Sequence, residues 1–188
     1  MKNQVRERIR RKLLSMSPQD QALKSGLACR AMIDLPEFRQ AQTVMLYMSI
    51  PFEVDTAGIA RTAWDQGKTV LTAKLRPKAR QLIAVRFGSL NEDFTIGSYG
   101  IREPRSDSPW PVEGIDFIVV PAMAYDRQGG RLGRGGGYYD RFLGQPGLRA
   151  VRCGLAFAEQ VVDELPTAPH DQPVDIVVTD QEVLRFKG

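Results

Sequence analysis

The residues best suited to chemistry lie in one glycine-rich stretch, residues 126–141. Its six glycines are Gly129, Gly130, Gly133, Gly135, Gly136 and Gly137. Glycine adopts positive φ freely and has no Cβ, so a bound oxyanion can approach its backbone N–H. Glycine alone is equally typical of a plain connection. The charged residues of the stretch favour a phosphate-binding loop, because a loop that needs only flexibility does not require them. They are Arg131, Arg134, Asp140 and Arg141.

The sequence on either side of the stretch predicts a strand before it and a helix after it. Residues 117–120 form an apolar run typical of a buried strand, and residues 138–143 have the pattern of a first helical turn. The loop is therefore expected to end at a helix N-terminus, where backbone N–H groups and the helix dipole favour an anion.

Residues 131–140, with the sequence RLGRGGGYYD, closely resemble the signature of the 5-formyltetrahydrofolate cyclo-ligase family, also called 5,10-methenyltetrahydrofolate synthetases. Similar segments recur from Lys2 to Asp180. One departure is Gly136, where some members carry a lysine. The resemblance implies a three-layer α/β/α fold and the ATP-dependent conversion of 5-formyltetrahydrofolate to 5,10-methenyltetrahydrofolate, through an N5-iminium phosphate and with release of ADP and phosphate.

The resemblance also implies a role for individual residues. Catalytic roles fall to Arg134 and Tyr138. Contacts to ATP fall to Lys2, Arg6, Arg131, Leu132, Gly133, Arg134, Gly135, Gly136, Gly137, Tyr138 and Tyr139. Contacts to the folate fall to Met48, Glu53, Arg134, Gly135, Gly136, Gly137 and Tyr138. Magnesium, the implied metal, would be held by Asp140 and Asp175.

Glu53 lies in a loop, residues 50–55, that follows a predicted strand. A single carboxylate in a loop is usually solvated. The resemblance favours a substrate contact instead, and the chemistry agrees with it. The amino-pyrimidinone edge of a pterin offers N–H donors that a carboxylate can accept, and a methionine such as Met48 packs well against a flat ring.

The first sixteen residues predict a basic amphipathic helix. Apolar residues recur at helical spacing, and Lys2, Arg6 and Arg10 form a neighbouring stripe. A solvated basic face is the usual meaning of such a charge run. A mitochondrial-type targeting helix is a third alternative. In the resembled family, a Lys and an Arg with the spacing of Lys2 and Arg6 contact ATP.

Composition narrows the class of protein. The net charge is +4, but residues 1–16 alone carry +5, and this segment has no aromatic residue of the kind that nucleic-acid binders expose. Cys29 and Cys153 form no CxxC pair and no metal-ligand spacing with His170, which suits reduced thiols. No apolar run approaches the ~20 residues of a membrane span. We expect a cytoplasmic monomer that acts on small molecules, without nucleic-acid or membrane partners.

Two further segments resemble the family less specifically. Residues 99–104 resemble a segment that helps to wall the substrate cleft, and an ordered turn is an equally good interpretation. His170 could be a general base, although a histidine beside a proline-rich turn is more often structural. Lys74 receives no catalytic role.

The order of predicted elements indicates a single α/β domain over residues 1–188. Strands are predicted at 43–49, 68–73, 81–87, 117–120, 149–156 and 175–178, with helices after Ser17-Pro18 to about residue 32 and after Asp55-Thr56 to about residue 66. This order predicts a three-layer α/β/α sandwich with a mostly parallel central sheet of about six strands and a cleft above the strand ends.

Two other functions remain alternatives. One is a nucleotide- or folate-binding regulator without turnover. The other is an enzyme of the same fold that acts on another metabolite. The two carboxylates suited to a metal argue against a pure binder, and Met48 and Glu53 argue for a folate.

Overall fold

The structure is a computed structural model that describes residues 1–91, 94–97 and 100–186. Its helices are α1 (Lys2–Leu14), α2 (Pro18–Ile33), α3 (Pro36–Gln40), α4 (Ala57–Asp65) and α5 (Tyr138–Leu143). Its first six strands are β1 (Thr43–Leu46), β2 (Thr69–Arg76), β3 (Gln81–Arg86), β4 (Phe94–Ile96), β5 (Arg102–Pro104) and β6 (Phe117–Val120). The others are β7 (Ala124–Asp126), β8 (Arg131–Leu132), β9 (Val151–Leu155), β10 (Val161–Val162), β11 (Ile176–Val178) and β12 (Val183–Arg185).

A seven-stranded sheet forms the centre of the fold, in the order β12-β11-β9-β6-β1-β2-β3. The five inner strands run parallel, and the edge strands β12 and β3 are antiparallel to their neighbours. The predicted mostly parallel α/β sheet is therefore confirmed. The prediction of about six strands missed β12, whose alternating exposure is typical of an edge rather than of a buried run.

Both faces of the sheet are covered, as the apolar runs predicted. In β6, Phe117 and Val119 belong to the core beneath α1 to α4, whereas Ile118 and Val120 belong to a second core that includes Phe142 of α5. This alternation is why the strand is apolar throughout, because all four residues of β6 are buried on one face or the other. The first face carries four helices and the second carries one short helix with irregular chain.

Local signals set the ends of several elements. The Ser17 hydroxyl accepts a hydrogen bond from the Asp20 N–H at 3.1 Å, and Pro18 occupies the first turn of α2, as predicted. Strand β1 ends at Leu46, earlier than predicted. The reason is local, because the Thr56 hydroxyl donates to the Tyr47 carbonyl at 2.7 Å, and the Tyr47 hydroxyl donates to the Val54 carbonyl at 2.8 Å. These bonds fold the chain after β1 into a compact loop.

No helix in the described part of the chain is both long enough and apolar enough to span a membrane.

Gly154 in β9 is required by a close contact on the second face. A Cβ at this position would lie 2.5 Å from Cε1 of Tyr125. That ring is fully buried, and its hydroxyl donates to the Val120 carbonyl, so it has no free space to move into. We expect Gly154→Ala to lower the free energy of unfolding by about 1–3 kcal/mol, which urea denaturation measures.

Gly26→Ala is the matched control. Gly26 lies inside α2, and the only atom near its added methyl group is the flexible end of Arg30 at 3.7 Å. Alanine should leave stability unchanged or raise it by about 0.5–1 kcal/mol. A Gly154→Ala variant as stable as the parent would show that the Tyr125 ring is not fixed.

Candidate active site

Two loops meet where the strand order changes direction. From β1 the chain passes through α4 to β2 on one side, whereas β6 lies on the other side of β1. Ligands of open α/β sheets bind at such a switch point, outside the carboxyl ends of the strands. The loop after β1 carries Met48 and Glu53. The chain after β6 leads through the β7–β8 hairpin to the glycine loop.

A salt bridge joins these two loops. Arg134 Nη2 donates to Glu53 Oε1 at 3.0 Å. The Glu53 side chain is 12% exposed and that of Arg134 is 51% exposed, so the carboxylate is largely shielded from water while its partner reaches the surface. The resemblance had assigned Arg134 to both substrates and Glu53 to the folate. The structure brings the two residues into direct contact.

The position of Glu53 follows from a tight turn. The Glu53 N–H donates to the Ile50 carbonyl at 3.1 Å, and Phe52 has φ +70° after Pro51, as the third residue of a type II turn does. Glu53 Oε2 in turn accepts from the Ile50 N–H at 3.2 Å. Burial raises the pKa of Glu53 above its usual value, although the charge and hydrogen bond of Arg134 oppose the rise.

Met48 lies on the other side of the same loop. It is partly buried against the core of the first face and lines an open cavity together with Phe87, Leu90 and Arg102. The cavity therefore combines apolar walls with polar residues, among them Asp55 and Thr56. Tyr99, predicted to wall the cleft, lies outside the described residues.

The glycine-rich stretch was predicted to be one continuous loop, but it has two separate parts. Its first part is the β7–β8 hairpin, whose turn includes Gly129 and Gly130. The Asp126 carboxylate accepts from the N–H groups of Gln128 and Gly130 at 2.9 and 2.7 Å, and a Cβ at Gly130 would lie 2.3 Å from it. Gly129 and Gly130 thus belong to a turn that an aspartate caps, and their role differs from that of the glycines in residues 133–137.

Residues 133–137 form the true loop and lead directly into α5. Gly135 has φ +107° and Gly137, the cap of α5, has φ +63°. Arg134, Gly135 and Gly136 are exposed. In the described part of the chain, none of the five backbone N–H groups of residues 133–137 donates to a protein acceptor. A run of free N–H groups at the start of a helix is an anion-binding arrangement, although α5 itself is short.

Arg131 and Leu132 lie beneath this loop. The Arg131 side chain is 2% exposed, and its Nη2 donates to Asp140 Oδ1 at 2.5 Å. Leu132 is 2% exposed and belongs to the core of the first face. Both were predicted to contact ATP, which stays a prediction, and their side chains lie on the inner side of the loop. Asp140 Oδ1 also accepts from the Gln172 N–H at 3.2 Å.

Helix α1 lies against the glycine loop, as its apolar stripe allows. Ile9 and Leu13 are buried, and Arg6 Nε donates to the Gly133 carbonyl at 2.9 Å. Lys2 Nζ pairs with Asp171 Oδ2 at 2.6 Å. Burial is the largest influence on the pKa of Asp171 and raises it, but the hydrogen bonds from Lys2 and the Ala168 N–H and the charge of Lys2 together outweigh burial, so the pKa is lowered. The two predicted cations thus lie at the site, each already bonded to protein.

The tyrosines that follow the loop differ in environment. Burial raises the pKa of Tyr139, and the nearby Glu53 raises it further. The Tyr138 ring lies at 5.3 Å from the guanidinium carbon of Arg141. Arg141 was singled out for its charge but received no role. Arg141 lies four residues after Gly137, the last loop residue. Because residues at this spacing lie on the same face of a helix, the spacing could have predicted that the Arg141 side chain lies over the loop.

The predicted metal ligands belong to one hydrogen-bonded network. Gln172 bonds Asp140 through its N–H and accepts from Arg152 Nη1 at 3.3 Å, and the Arg152 N–H donates to Asp175 Oδ2 at 2.7 Å. Asp175 is exposed and precedes β11, at the amino ends of the parallel strands. Among the described residues, no group of three or more His, Cys, Asp and Glu side chains is placed to hold a metal.

Two other candidates have ordinary surroundings. The His170 side chain is 79% exposed, with Nε2 at 3.8 Å from Asp171. Lys74 Nζ pairs with Asp107 Oδ1 at 2.9 Å.

Comparison with known proteins agrees with this geometry. The model of the 5-formyltetrahydrofolate cyclo-ligase family matches residues 1–180. A 5-formyltetrahydrofolate cyclo-ligase of Escherichia coli is 31% identical, over 93% of this chain and 98% of its own length. One from Haemophilus influenzae is 30% identical, over 94% and 97%.

Solved structures show the same relationship. The NMR structure of Aquifex aeolicus 5,10-methenyltetrahydrofolate synthetase superposes with a TM-score of 0.86 at 31% identity, covering 100% of this chain and 93% of that one. A synthetase from Mycoplasma pneumoniae, at 21% identity, shares the fold with a TM-score of 0.78. The loop that the salt bridge ties to Glu53 thus carries a family signature, and the chain belongs to the 5-formyltetrahydrofolate cyclo-ligase family.

Proposed function

We propose that the Arg134–Glu53 salt bridge marks the boundary between an ATP subsite and a folate subsite. The activity served by both is the ATP-dependent cyclisation of 5-formyltetrahydrofolate to 5,10-methenyltetrahydrofolate, which the family supports. The observation that carries the assignment is the 3.0 Å contact between an exposed loop arginine and a buried carboxylate. It supports a phosphate site that lies directly beside a pterin site.

The phosphate side consists of the glycine loop. Free N–H groups of residues 133–137 and the exposed guanidinium of Arg134 can surround the γ-phosphate, and Lys2 and Arg6 approach from α1. Phosphoryl transfer asks the protein mainly for alignment and for positive charge around the transferring group. The loop is supported on its inner side by three side chains, those of Arg131, Leu132 and Tyr139.

The folate side consists of Glu53 and Met48. A buried carboxylate with a raised pKa is stabilised when N–H donors replace its lost water, and the pterin edge supplies such donors. The Met48 side chain offers a polarisable surface for the ring. This arrangement favours a folate over another metabolite, the main competing substrate class.

The reaction then needs no protein nucleophile. The formyl oxygen attacks the γ-phosphorus, the bond to the ADP oxygen breaks, and an N5-iminium phosphate forms. N10 attacks the formyl carbon and loses its proton, the carbon–oxygen bond breaks, and inorganic phosphate leaves. Arg134 would neutralise charge on the transferring phosphoryl group. Tyr138, the first residue of α5, lies directly after the loop. Glu53 holds the pterin so that the formyl group faces the phosphate.

Magnesium is proposed as the metal of this site. Mg²⁺ usually binds through one or two carboxylates together with substrate phosphates, so a protein cluster of three ligands is not required. Of the two predicted ligands, Asp140 lies in the first turn of α5 beside the loop, whereas Asp175 precedes β11 at the amino ends of the parallel strands, so Asp140 alone is supported as a ligand at this site. The ion would neutralise phosphate charge. We further propose one domain over residues 1–188. The cytoplasmic location and monomeric state stay predictions.

The first test is Arg134→Ala. Loss of one preorganised cation at the transferring group should weaken transition-state stabilisation by about 2–4 kcal/mol, with a corresponding fall in kcat/KM. A spectrophotometric assay of methenyltetrahydrofolate formation measures kcat/KM. Stability should fall by less than on breaking a fully buried pair, because Arg134 is half exposed, although Glu53 loses its cation. Arg127→Ala is the control, since Arg127 pairs with Glu182 on the surface.

A near-parental kcat/KM in the Arg134 variant would contradict the proposal, and the absence of turnover in the parent would favour a regulator. Asp140→Asn is a poorer probe. It leaves the buried Arg131 without its carboxylate, which should lower stability by about 3–5 kcal/mol and obscure any effect on catalysis.

Glu53→Gln tests the folate side. The change replaces an acceptor oxygen by a donor, so an N–H of the pterin would face an N–H of the amide, and folate binding should weaken by about 1–3 kcal/mol. Calorimetric titration with each ligand separately measures this. Weakened ATP binding with intact folate binding would instead assign Glu53 to the phosphate side.

A further inference from the structure

Arg141 folds back over the start of α5 and bonds two backbone carbonyls. Its Nη2 donates to the Gly136 carbonyl at 2.9 Å, and its Nε donates to the Arg80 carbonyl at 2.7 Å. Arg80 closes the β2–β3 hairpin in a left-handed conformation, with φ +52°. One guanidinium therefore ties the glycine loop to a hairpin of the central sheet.

These contacts differ from those of an ordinary surface arginine. Within residues 1–91, 94–97 and 100–186, Arg141 has no carboxylate within ion-pair distance. Its recorded hydrogen bonds go to main-chain oxygens, and its Nη1 lies 2.9 Å from the position that a Cβ at Gly137 would take. The guanidinium thus occupies the space beside the last loop residue.

Holding a carbonyl also orients the next N–H group. The C=O and N–H of a trans peptide point in opposite directions. Because Arg141 holds the Gly136 carbonyl, the Gly137 N–H points away from Arg141. Arg6 does the same at the other end of the loop, where it holds the Gly133 carbonyl and thereby turns the Arg134 N–H away from α1. Both N–H groups belong to the set without a protein acceptor.

We propose that Arg141 is a positioning residue for the ATP phosphates. It fixes the Gly136–Gly137 peptide with its N–H directed into the phosphate site and anchors that peptide to the β2–β3 hairpin. The proposal rests on the proposed function of the loop as the ATP subsite. Arg141 itself contacts neither substrate. Arg6 has the corresponding role at the other end of the loop, where it orients the Arg134 N–H.

Steady-state kinetics of Arg141→Met and Arg141→Lys test the proposal. The methionine keeps the aliphatic stem but donates to neither carbonyl, so KM for ATP should rise about tenfold or more while KM for 5-formyltetrahydrofolate stays near the parental value. Lysine can donate to one carbonyl and should give an intermediate KM for ATP. The urea midpoint of Arg141→Met should match that of Arg127→Met, the control that loses surface ion pairs outside the site.

The outcomes separate this proposal from the function on which it rests. A parental KM for ATP in Arg141→Met, with a large loss in Arg134→Ala, would overturn the positioning role alone. Parental kinetics in both variants would overturn the ATP subsite as well. A rise in both KM values, or a urea midpoint well below that of the control, would show a general structural role and would also overturn the proposal.

Discussion

The parallel pairing of β1 with β6 is the constraint on which the site depends. Since these strands are neighbours with the same direction, the chain leaves both at the same edge of the sheet. The Glu53 loop and the chain that leads to the glycine loop therefore begin within one strand spacing of each other. Burial of both sheet faces fixes the strand ends from which the two loops start.

Backbone groups, rather than charged side chains, shape the phosphate side. A loop can present a series of N–H groups only if its carbonyls find donors elsewhere. Arg6 and Arg141 provide such donors from two helices on opposite faces of the sheet. Arg131 and Asp140 fill the space below with a buried ion pair, whose partners depend on each other. The exposed surface of the loop is thus fixed from three sides.

The sequence predicted most of the sheet, because inner parallel strands are apolar runs, and the signature over residues 131–140 identified the family. It did not separate the β7–β8 hairpin from the loop, because glycines in a capped turn and in a phosphate loop look alike until the Asp126 carboxylate is seen to bond Gly130. It assigned Arg131 to contact with ATP and could not show that its guanidinium is buried against Asp140, because that pairing depends on how α5 packs. The contact between Arg134 and Glu53, 81 positions apart, follows only from the topology.

That contact has a consequence for the order in which the site fills. If Glu53 receives the pterin and Arg134 the phosphate, either ligand must first compete with the salt bridge. The free energy needed to separate the pair then reduces the binding free energy of the ligand that binds first. The second ligand binds to a residue that is no longer in the salt bridge. By thermodynamic linkage each substrate strengthens the binding of the other to the same degree. Without either substrate, the salt bridge keeps a cation beside the carboxylate of Glu53 and joins the two loops.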